Sequence, residues 1–248
     1  MDLKYKEQEL HGIWRIIPSG ALTEIIGKSG FDFQILDCEH GSYDYATLAN
    51  DIRACDLTKC DAIVRVSGLD KVEVQRCLDL GAKGIIFPQL CNFEDFKLAT
   101  KLLEFAPAGL RGYNPFVRAF GYGNNIYDID KKPACWAIIE TLDAVNDLER
   151  ILTLSGIDII YIGSYDLSAQ LGCAGQMDNT KLLSTVELII QKCRSVSKPV
   201  SVLVNNRSQY VYYKAAGVNL FLHSVDSYKV QLMFKDIIEK FKSPKRYE

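Results

Sequence analysis

Eight short apolar runs, each followed by a helix-like stretch, are the feature that most restricts how this chain can fold. Short continuous runs of this kind are typical of parallel strands that are buried on both faces. Glycines at 30, 81, 156 and 217 each stand just before a run, where the preceding helix is expected to end. The predicted strands are 12–17, 33–36, 62–66, 84–87, 134–139, 157–162, 199–204 and 218–222.

The predicted helices are 22–26, 45–54, 71–80, 92–105, 144–154, 182–196, 209–216 and 228–241, with a short helical turn at 167–171. Strand–helix–strand crossovers are right-handed, and eight of them close into a barrel of about 250 residues. We therefore predict an α/β protein, a (β/α)8 TIM barrel that residues 1–248 form as a single domain. An open, doubly wound sheet is the alternative, but it would not spread polar residues evenly over the strand ends.

One connection, from 107 to 133, is too long for an ordinary link between a helix and a strand. It carries the aromatic residues Tyr113, Phe116, Phe120, Tyr122 and Tyr127, a composition that argues against disorder. We expect an ordered segment that covers the site or contacts a neighbouring subunit.

Charge and composition exclude several classes of protein. The formal net charge is −2, from 29 basic and 31 acidic residues, so no basic field attracts nucleic acid. No apolar stretch reaches the ~18 residues that cross a bilayer, so no membrane partner is expected. Because the N-terminus lacks a signal-peptide core, we expect a cytoplasmic protein. The eight cysteines have no Cys-x-x-Cys spacing and are expected to be free thiols rather than zinc ligands.

Polar residues follow several of the predicted strands at the point where each strand ends. The second run leads into Asp37-Cys38-Glu39-His40, the third ends at Arg65, the fourth leads to Gln89, the fifth to Glu140 and the sixth to Asp166. Ionisable groups at the end of a buried strand are costly to leave unpaired. Polar residues at one end of many parallel strands are typical of a barrel active site.

Glu140 and Asp166 are candidates for a metal site. Adjacent strands lie about 4.8 Å apart, so the two carboxylates can converge on one point. A hard divalent cation would relieve their repulsion, since Mg2+ is held by one or two carboxylates plus waters and substrate oxygens. The alternative is that each carboxylate pairs with a lysine or an arginine.

His40 and Arg65 complete the predicted catalytic face. The imidazole of His40 follows two acids at a strand end, a position that suits proton transfer. Of the two other histidines, His11 precedes the first strand, at the opposite end of a barrel. His223 follows the last strand and is a weaker candidate for the site. The Arg65 guanidinium can hold a carboxylate or stabilise enolate charge, and it can also pair with the acids after the second strand. Cys38 stands between those acids, whose charges disfavour a thiolate nucleophile.

Two common barrel chemistries lack their residues in this chain. No Gly-x-Gly phosphate cradle follows strand seven or eight, which weakens the case for a phosphosugar isomerase. No lysine ends strand five or six, so a Schiff-base aldolase would lack its nucleophile.

The motifs resemble, in order, those of the class II, metal-dependent pyruvate aldolases of the 2-keto-3-deoxy acid and 4-hydroxy-2-oxoheptanedioate aldolase type. The resemblance covers roughly residues 11–240 and rests on GFD at 30–32, DCEHG at 37–41, VR at 64–65, LDLGA at 78–82, PAGLRG at 107–112, RA at 118–119, IET at 139–141 and GSYDLS at 163–168. It implies a homo-oligomer, a hexamer or trimer of dimers, whose terminal helices are exchanged between subunits.

The resemblance also implies a metal and a substrate site. Glu140 and Asp166 would bind Mg2+ or Mn2+, with Co2+ as a further option, and the ion would chelate pyruvate. Ser164, Tyr165 and Asp37 would contact the substrate, and backbone N–H groups from 164 to 166 would receive its carboxylate.

Further roles implied by the resemblance concern charge and protons. Arg65 would face the enolate oxygen. His40 would move protons through a water, and Asp79 of the same or a neighbouring subunit would orient it.

Three positions depart from the family's pattern. Ile138 stands where the family usually has Gln, Ser164 follows Gly163 where Gly-Pro is usual, and Tyr165 replaces a small residue. These differences bear on substrate choice more than on the type of reaction.

Three hypotheses follow for the function. The first is a metal-dependent lyase that forms or cleaves a carbon–carbon bond between pyruvate and a small, polar or sugar-derived aldehyde. The second is an acyl-CoA or citramalyl-type lyase on the same barrel. The third is a barrel without catalysis that acts as a binding protein. A site that has lost its activity would be expected to lose a metal carboxylate, Arg65 or His40, and this chain keeps all of them.

Overall fold

A closed barrel of eight parallel strands forms the centre of the computed structural model, which describes residue 5 and residues 8–242. Each strand pairs with the next one along the chain, and the last pairs with the first. The strands are β1 Leu10–Arg15, β2 Phe33–Asp37, β3 Asp61–Arg65, β4 Gly84–Phe87, β5 Ala134–Ile139, β6 Ile159–Ile162, β7 Val200–Leu203 and β8 Leu220–Val225. The predicted (β/α)8 barrel is confirmed, and the open doubly wound sheet is wrong.

All but the last of the helices lie on the outside of the barrel between consecutive strands. The helices are α1 Gly20–Lys28, α2 Tyr45–Thr58, α3 Lys71–Asp79, α4 Phe93–Leu103, α5 Leu142–Asn146, α6 Leu148–Ile151, α7 Ser164–Gln170, α8 Thr180–Ser195, α9 Arg207–Ala216 and α10 Asp226–Lys242. Asn92 caps α4 by accepting hydrogen bonds from the N–H groups of Glu94 and Asp95. The helix predicted at 144–154 is instead two short helices that meet at Asp147.

The strands are apolar throughout because they pack on two sides. Side chains such as Phe33, Ile35 and Trp136 fill the interior of the barrel. Neighbours such as Leu36 and Val64 point outward and pack against the helices. Burial on both faces explains why the sequence shows continuous apolar runs rather than alternation.

Glycines end three of the helices in the way the sequence predicts. Gly30, Gly81 and Gly217 have φ angles of +95°, +103° and +98°, in the left-handed region that other residues rarely adopt. Gly156 differs, because its backbone is not left-handed. A glycine is needed there for space, since a Cβ at this position would lie 2.8 Å from the Cβ of Thr100.

The segment 107–133 lies at the amino-terminal end of the barrel, between the end of α4 and the start of β5. It contains two 3-10 helices, Arg118–Gly123 and Asp128–Asp130. The Arg118 guanidinium donates to the carbonyl oxygen of Leu80 and to Asp56, at the ends of α3 and α2. The segment therefore does not cover the opposite, polar end of its own barrel; contact with a neighbouring subunit stays a prediction.

Among the described residues, the buried contacts of the last helix, α10, lie at its start. The buried Asp226 carboxylate accepts hydrogen bonds from Arg15 Nε at 2.9 Å and from the N–H groups of Ile16 and Ile17. Beyond Asp226 no described residue of α10 is buried. Its exposed apolar side chains are Leu232, Met233, Phe234, Ile237, Ile238 and Phe241. No helix within 8–242 has the length and apolar character required to cross a membrane.

Candidate active site

Most of the predicted site residues meet in one cavity at the carboxyl end of the strands. The cavity measures about 290 Å3. The predicted residues that line it are His40, Arg65, Glu140, Ser164, Tyr165 and Asp166. An adjoining cavity of about 330 Å3 shares four of them, His40, Arg65, Glu140 and Asp166. Parallel strands bring these residues together because their carboxyl ends meet at one end of the barrel.

Asp37 fixes Arg65 from below the cavity. The two residues end β2 and β3 and are register partners. Arg65 donates from Nε to Asp37 Oδ1 at 2.8 Å and from Nη2 to Oδ2 at 2.5 Å, while Trp14 Nε1 donates to Oδ2 at 3.0 Å. Burial acts to raise the pKa of Asp37, but the Arg65 hydrogen bonds and charge outweigh it and hold that pKa below its ordinary value. Asp37 is therefore ionised and supports Arg65.

Glu39 and Gln89 continue this network across the site. Glu39 Oε2 lies 2.8 Å from Arg65 Nη1, and Glu39 Oε1 accepts a hydrogen bond of 2.7 Å from Gln89 Nε2. The backbone N–H of Gln89 donates to Glu140 Oε1. The pairing of Arg65 with acids, which the sequence left open, is thus found.

Glu140 is a buried carboxylate whose surroundings favour its neutral form. It is only 5% exposed, and Gly163 makes room for it, because a Cβ there would lie 2.5 Å from the Glu140 Cβ. Burial raises the pKa of Glu140 to about 7; the Gln89 N–H opposes this rise, and the charge of Asp166 adds to it. Neither Glu140 nor Asp166 has a lysine or arginine nitrogen of a described residue within 4.0 Å.

The donor set fits a hard divalent cation. No group of three His, Cys, Asp or Glu side chains forms a metal-binding arrangement within the part of the chain that the structure describes. The protein would offer two carboxylates, Glu140 and Asp166, and leave the remaining positions to water and substrate oxygens. That division of ligands is typical of Mg2+.

His40 lies at the rim of the cavity. Its side chain is 71% exposed, and its Nε2 is 4.0 Å from Glu39 Oε2. The His40 backbone N–H donates to Asp37 Oδ1 at 3.1 Å, which fixes the start of the loop. The imidazole can therefore exchange protons with water at the mouth of the site.

Asp79 lies outside this cavity. It ends α3, at the amino-terminal end of the barrel, and its Oδ1 is 3.4 Å from Arg111 Nη2. Burial raises the pKa of Asp79, and the charge of Arg111 opposes the rise. Because His40 is at the opposite end, Asp79 could orient it only from a neighbouring subunit.

Two other residues considered from the sequence also point away from the cavity. His223 lies in β8 on the outer wall of the barrel, where its Nε2 is 2.8 Å from His11 Nδ1; His11 lies within β1 rather than before it. The Cys38 thiol contacts the buried Cys77 on the helix side of β2.

Three further residues shape the site, although no motif in the sequence gives them a role. Trp14 and Tyr161 line the cavity, with ring centroids 5.2 Å apart, and Trp14 also lies 4.7 Å from the Arg65 guanidinium. Both occur within apolar runs, so the sequence does not distinguish them from core residues, and only the structure shows that they face the cavity. The sequence marks Gln89 only as a polar residue after a strand, because its contacts depend on a backbone angle that sequence does not reveal.

A family model described as HpcH/HpaI aldolase/citrate lyase matches residues 11–220. The chain belongs to this family. The HpcH/HpaI match spans every cavity-lining residue that the sequence predicted, and it confirms the resemblance stated from the motifs.

Relatives and solved structures agree with this assignment to the HpcH/HpaI family. The chain is 31% identical over 195 residues to a pyruvate aldolase of Rhizobium etli, covering 77% of each chain. It is 28% identical to the 4-hydroxy-2-oxo-heptane-1,7-dioate aldolase of Klebsiella pneumoniae, covering 87% of this chain and 83% of that one. An HpcH/HpaI family protein from Burkholderia cenocepacia shares the fold, with a TM-score of 0.91 and 24% identity over 97% of this chain and 98% of that one.

The HpcH/HpaI chain is therefore an enzyme, a carbon–carbon lyase. The hypothesis of a barrel without catalysis is set aside, because both carboxylates, Arg65 and His40 all line the cavity.

Proposed function

We propose that the chain is a metal-dependent aldolase that forms or cleaves a 4-hydroxy-2-oxo acid. One component would be pyruvate, reacting as its enolate, and the other a small aldehyde, polar or sugar-derived. The observation that carries the proposal is the pair Glu140 and Asp166, which face one cavity beside Arg65 without a basic partner among the described residues. Members of the family generally depend on a divalent metal ion.

Glu140 and Asp166 would hold Mg2+ or Mn2+, with Co2+ as a further option. The bound ion would supply Lewis-acid polarisation of the 2-oxo acid. Arg65, fixed by Asp37, presents its guanidinium to the negative charge that develops on the substrate oxygen. The N–H groups of Ser164 to Asp166 begin α7, where the helix provides no carbonyl partner, and they bind the carboxylate.

His40 and Tyr165 would act on the aldehyde. His40 is at the exposed rim, where through a water it would give a proton to the aldehyde oxygen as the carbon–carbon bond forms, or take one from the 4-hydroxyl group of the hydroxy-oxo acid as that bond breaks. Asp79 of a neighbouring subunit would orient the imidazole. Tyr165 is 54% exposed and lines the same cavity, so its phenol can hydrogen-bond a hydroxyl of the aldehyde, which favours a polar or sugar-derived substrate.

The assembly belongs to the same proposal. A homo-oligomer, a hexamer or trimer of dimers with exchanged α10 helices, would cover the apolar side chains that α10 exposes. It would also bring Asp79 of one subunit towards His40 of another. A cytoplasmic location stays a prediction of the sequence.

Proton exchange at the pyruvate methyl group tests the proposal. In deuterated water with Mg2+ or Mn2+, the wild type should exchange the methyl protons, followed by proton NMR. Glu140→Gln and Asp166→Asn should each lose at least about 100-fold in rate, because each removes a ligand of a Lewis acid worth several kcal/mol. Asp178→Asn, at an exposed acid outside the cavity, is the matched control. Near-normal exchange by the metal-free double variant would refute the proposal.

The family's description also includes citrate lyase, so an acyl-CoA or citramalyl-type lyase is the second candidate. A panel that offers pyruvate with simple aldehydes and, separately, thioester substrates distinguishes the two. The aldolase proposal predicts turnover of the aldehydes, and turnover of thioesters alone would favour the second candidate.

A further inference from the structure

We propose that Gln89 is a positioning residue of this site, holding Glu140 with its backbone and Glu39 with its side chain. The inference rests on the proposed function. Gln89 follows β4 and has a φ of +55°, in the left-handed region. That conformation is uncommon for a residue other than glycine and costs roughly 1–2 kcal/mol. Strain of this kind collects at functional sites, where surrounding contacts maintain it.

The backbone of Gln89 determines which oxygen of Glu140 is free. Its N–H donates to Glu140 Oε1, and no other hydrogen bond to that carboxylate occurs among the described residues. Glu140 Oε2 is therefore the oxygen that would be available to a metal ion. A residue that favours negative φ at position 89 would turn the N–H away and release the carboxylate from this orientation.

The side chain of Gln89 restrains Glu39. Gln89 Nε2 donates to Glu39 Oε1 at 2.7 Å, and the Glu39 side chain is only 9% exposed. Glu39 Oε2 lies 2.8 Å from Arg65 Nη1 but accepts no aligned hydrogen bond. A buried carboxylate that loses its donor pays a desolvation cost and moves towards the nearest positive charge. Without the amide, Glu39 would compete with the substrate for Arg65 and the metal ion.

The two roles separate in a short series of variants. Gln89→Met keeps the backbone and removes the amide, Gln89→Gly also relaxes φ, and Gln89→Val disfavours the left-handed region. Two affinities are measured: Mn2+ by electron paramagnetic resonance, and oxalate, a mimic of the pyruvate enolate, by calorimetry on the Mn2+-loaded protein. Gln170→Met is the matched control, because Gln170 lines the same mouth and, within the described part of the chain, its side chain accepts a single hydrogen bond, from the Leu142 N–H.

The Met and Gly variants should bind Mn2+ within about 3-fold of the wild type and bind oxalate about 10-fold more weakly, as expected for a lost hydrogen bond to a charged group. The Val variant should bind Mn2+ about 10-fold more weakly, and the control should match the wild type in both affinities.

Unchanged oxalate affinity in both Met and Gly variants overturns the inference, as does unchanged Mn2+ affinity in a folded Val variant. If Glu140→Gln abolishes Mn2+ binding while the Gln89 series changes nothing, only this inference fails; a wild type that binds no Mn2+ overturns the proposed function as well.

Discussion

Glu140 shows at the residue scale what a sequence does and does not reveal about a site. Its place after an apolar run predicts a carboxylate at the mouth of the barrel, and the structure places it there. Its protonation depends on burial and on the nearby charge of Asp166, which require three-dimensional packing. The contacts of Gln89 require a left-handed backbone, and the distance of Asp79 from His40 follows from helix direction. Motifs identify such residues without fixing these relations.

The raised pKa of Glu140 gives a prediction for the metal-free protein. Because its pKa rises from an ordinary 4.5 to about 7 in the folded state, the neutral carboxyl favours folding. This contribution is complete below about pH 4.5 and is lost as the pH rises through about 7. Compared with Glu140→Gln, the wild type should lose on the order of 1–3 kcal/mol of unfolding free energy between pH 5 and pH 8.

Denaturant unfolding of both proteins across that range, with a chelator present, makes this measurement. The Gln variant is the control because its side chain has a similar shape and does not titrate. Two stability curves that stay parallel from pH 5 to pH 8 would show that Glu140 ionises normally.

At the scale of elements, helix α10 illustrates the limit of sequence patterns. Its amphipathic pattern predicts a helix at 228–241, and the structure has Asp226–Lys242. The pattern does not say which surface covers the apolar face. A helix that packs on its own barrel and a helix that packs on another copy of the chain would have the same amphipathic pattern. The buried contact between Asp226 and Arg15 fixes the start of the helix, and its later apolar residues remain exposed. The 144–154 region was similarly predicted as one helix and forms two.

The exposed face of α10 predicts how the assembly responds to charge. Phe234→Glu combined with Ile238→Glu should reduce the oligomer to a smaller species, because two carboxylates would be buried between subunits at a cost of several kcal/mol each. Lys235→Gln combined with Lys229→Gln, on the same helix, makes the same change of −2 in net charge without placing a carboxylate on the apolar face. Analytical ultracentrifugation measures the masses. A monomeric wild type, or a Glu double variant with the wild-type mass, would contradict helix exchange.

At the scale of the whole molecule, most of the architecture could be predicted. Eight alternating units, closed by glycines such as Gly81 and Gly217, are enough to predict a barrel and to place polar strand ends at one mouth. The position of the 107–133 segment was not predictable from its length and aromatic content. The structure places it at the opposite end of the barrel, and its contact with a neighbouring subunit stays a prediction.

A crystal soaked with Mn2+ and oxalate would reveal whether Glu140 and Asp166 hold a metal ion, since anomalous scattering locates the metal. We expect one strong peak within about 2.0–2.3 Å of a carboxylate oxygen of both Glu140 and Asp166, with oxalate bound between the ion and Arg65. Glu140→Gln crystals treated in the same way should lose the peak. Manganese bound elsewhere, or a wild-type cavity that holds oxalate without any metal peak, would contradict the account.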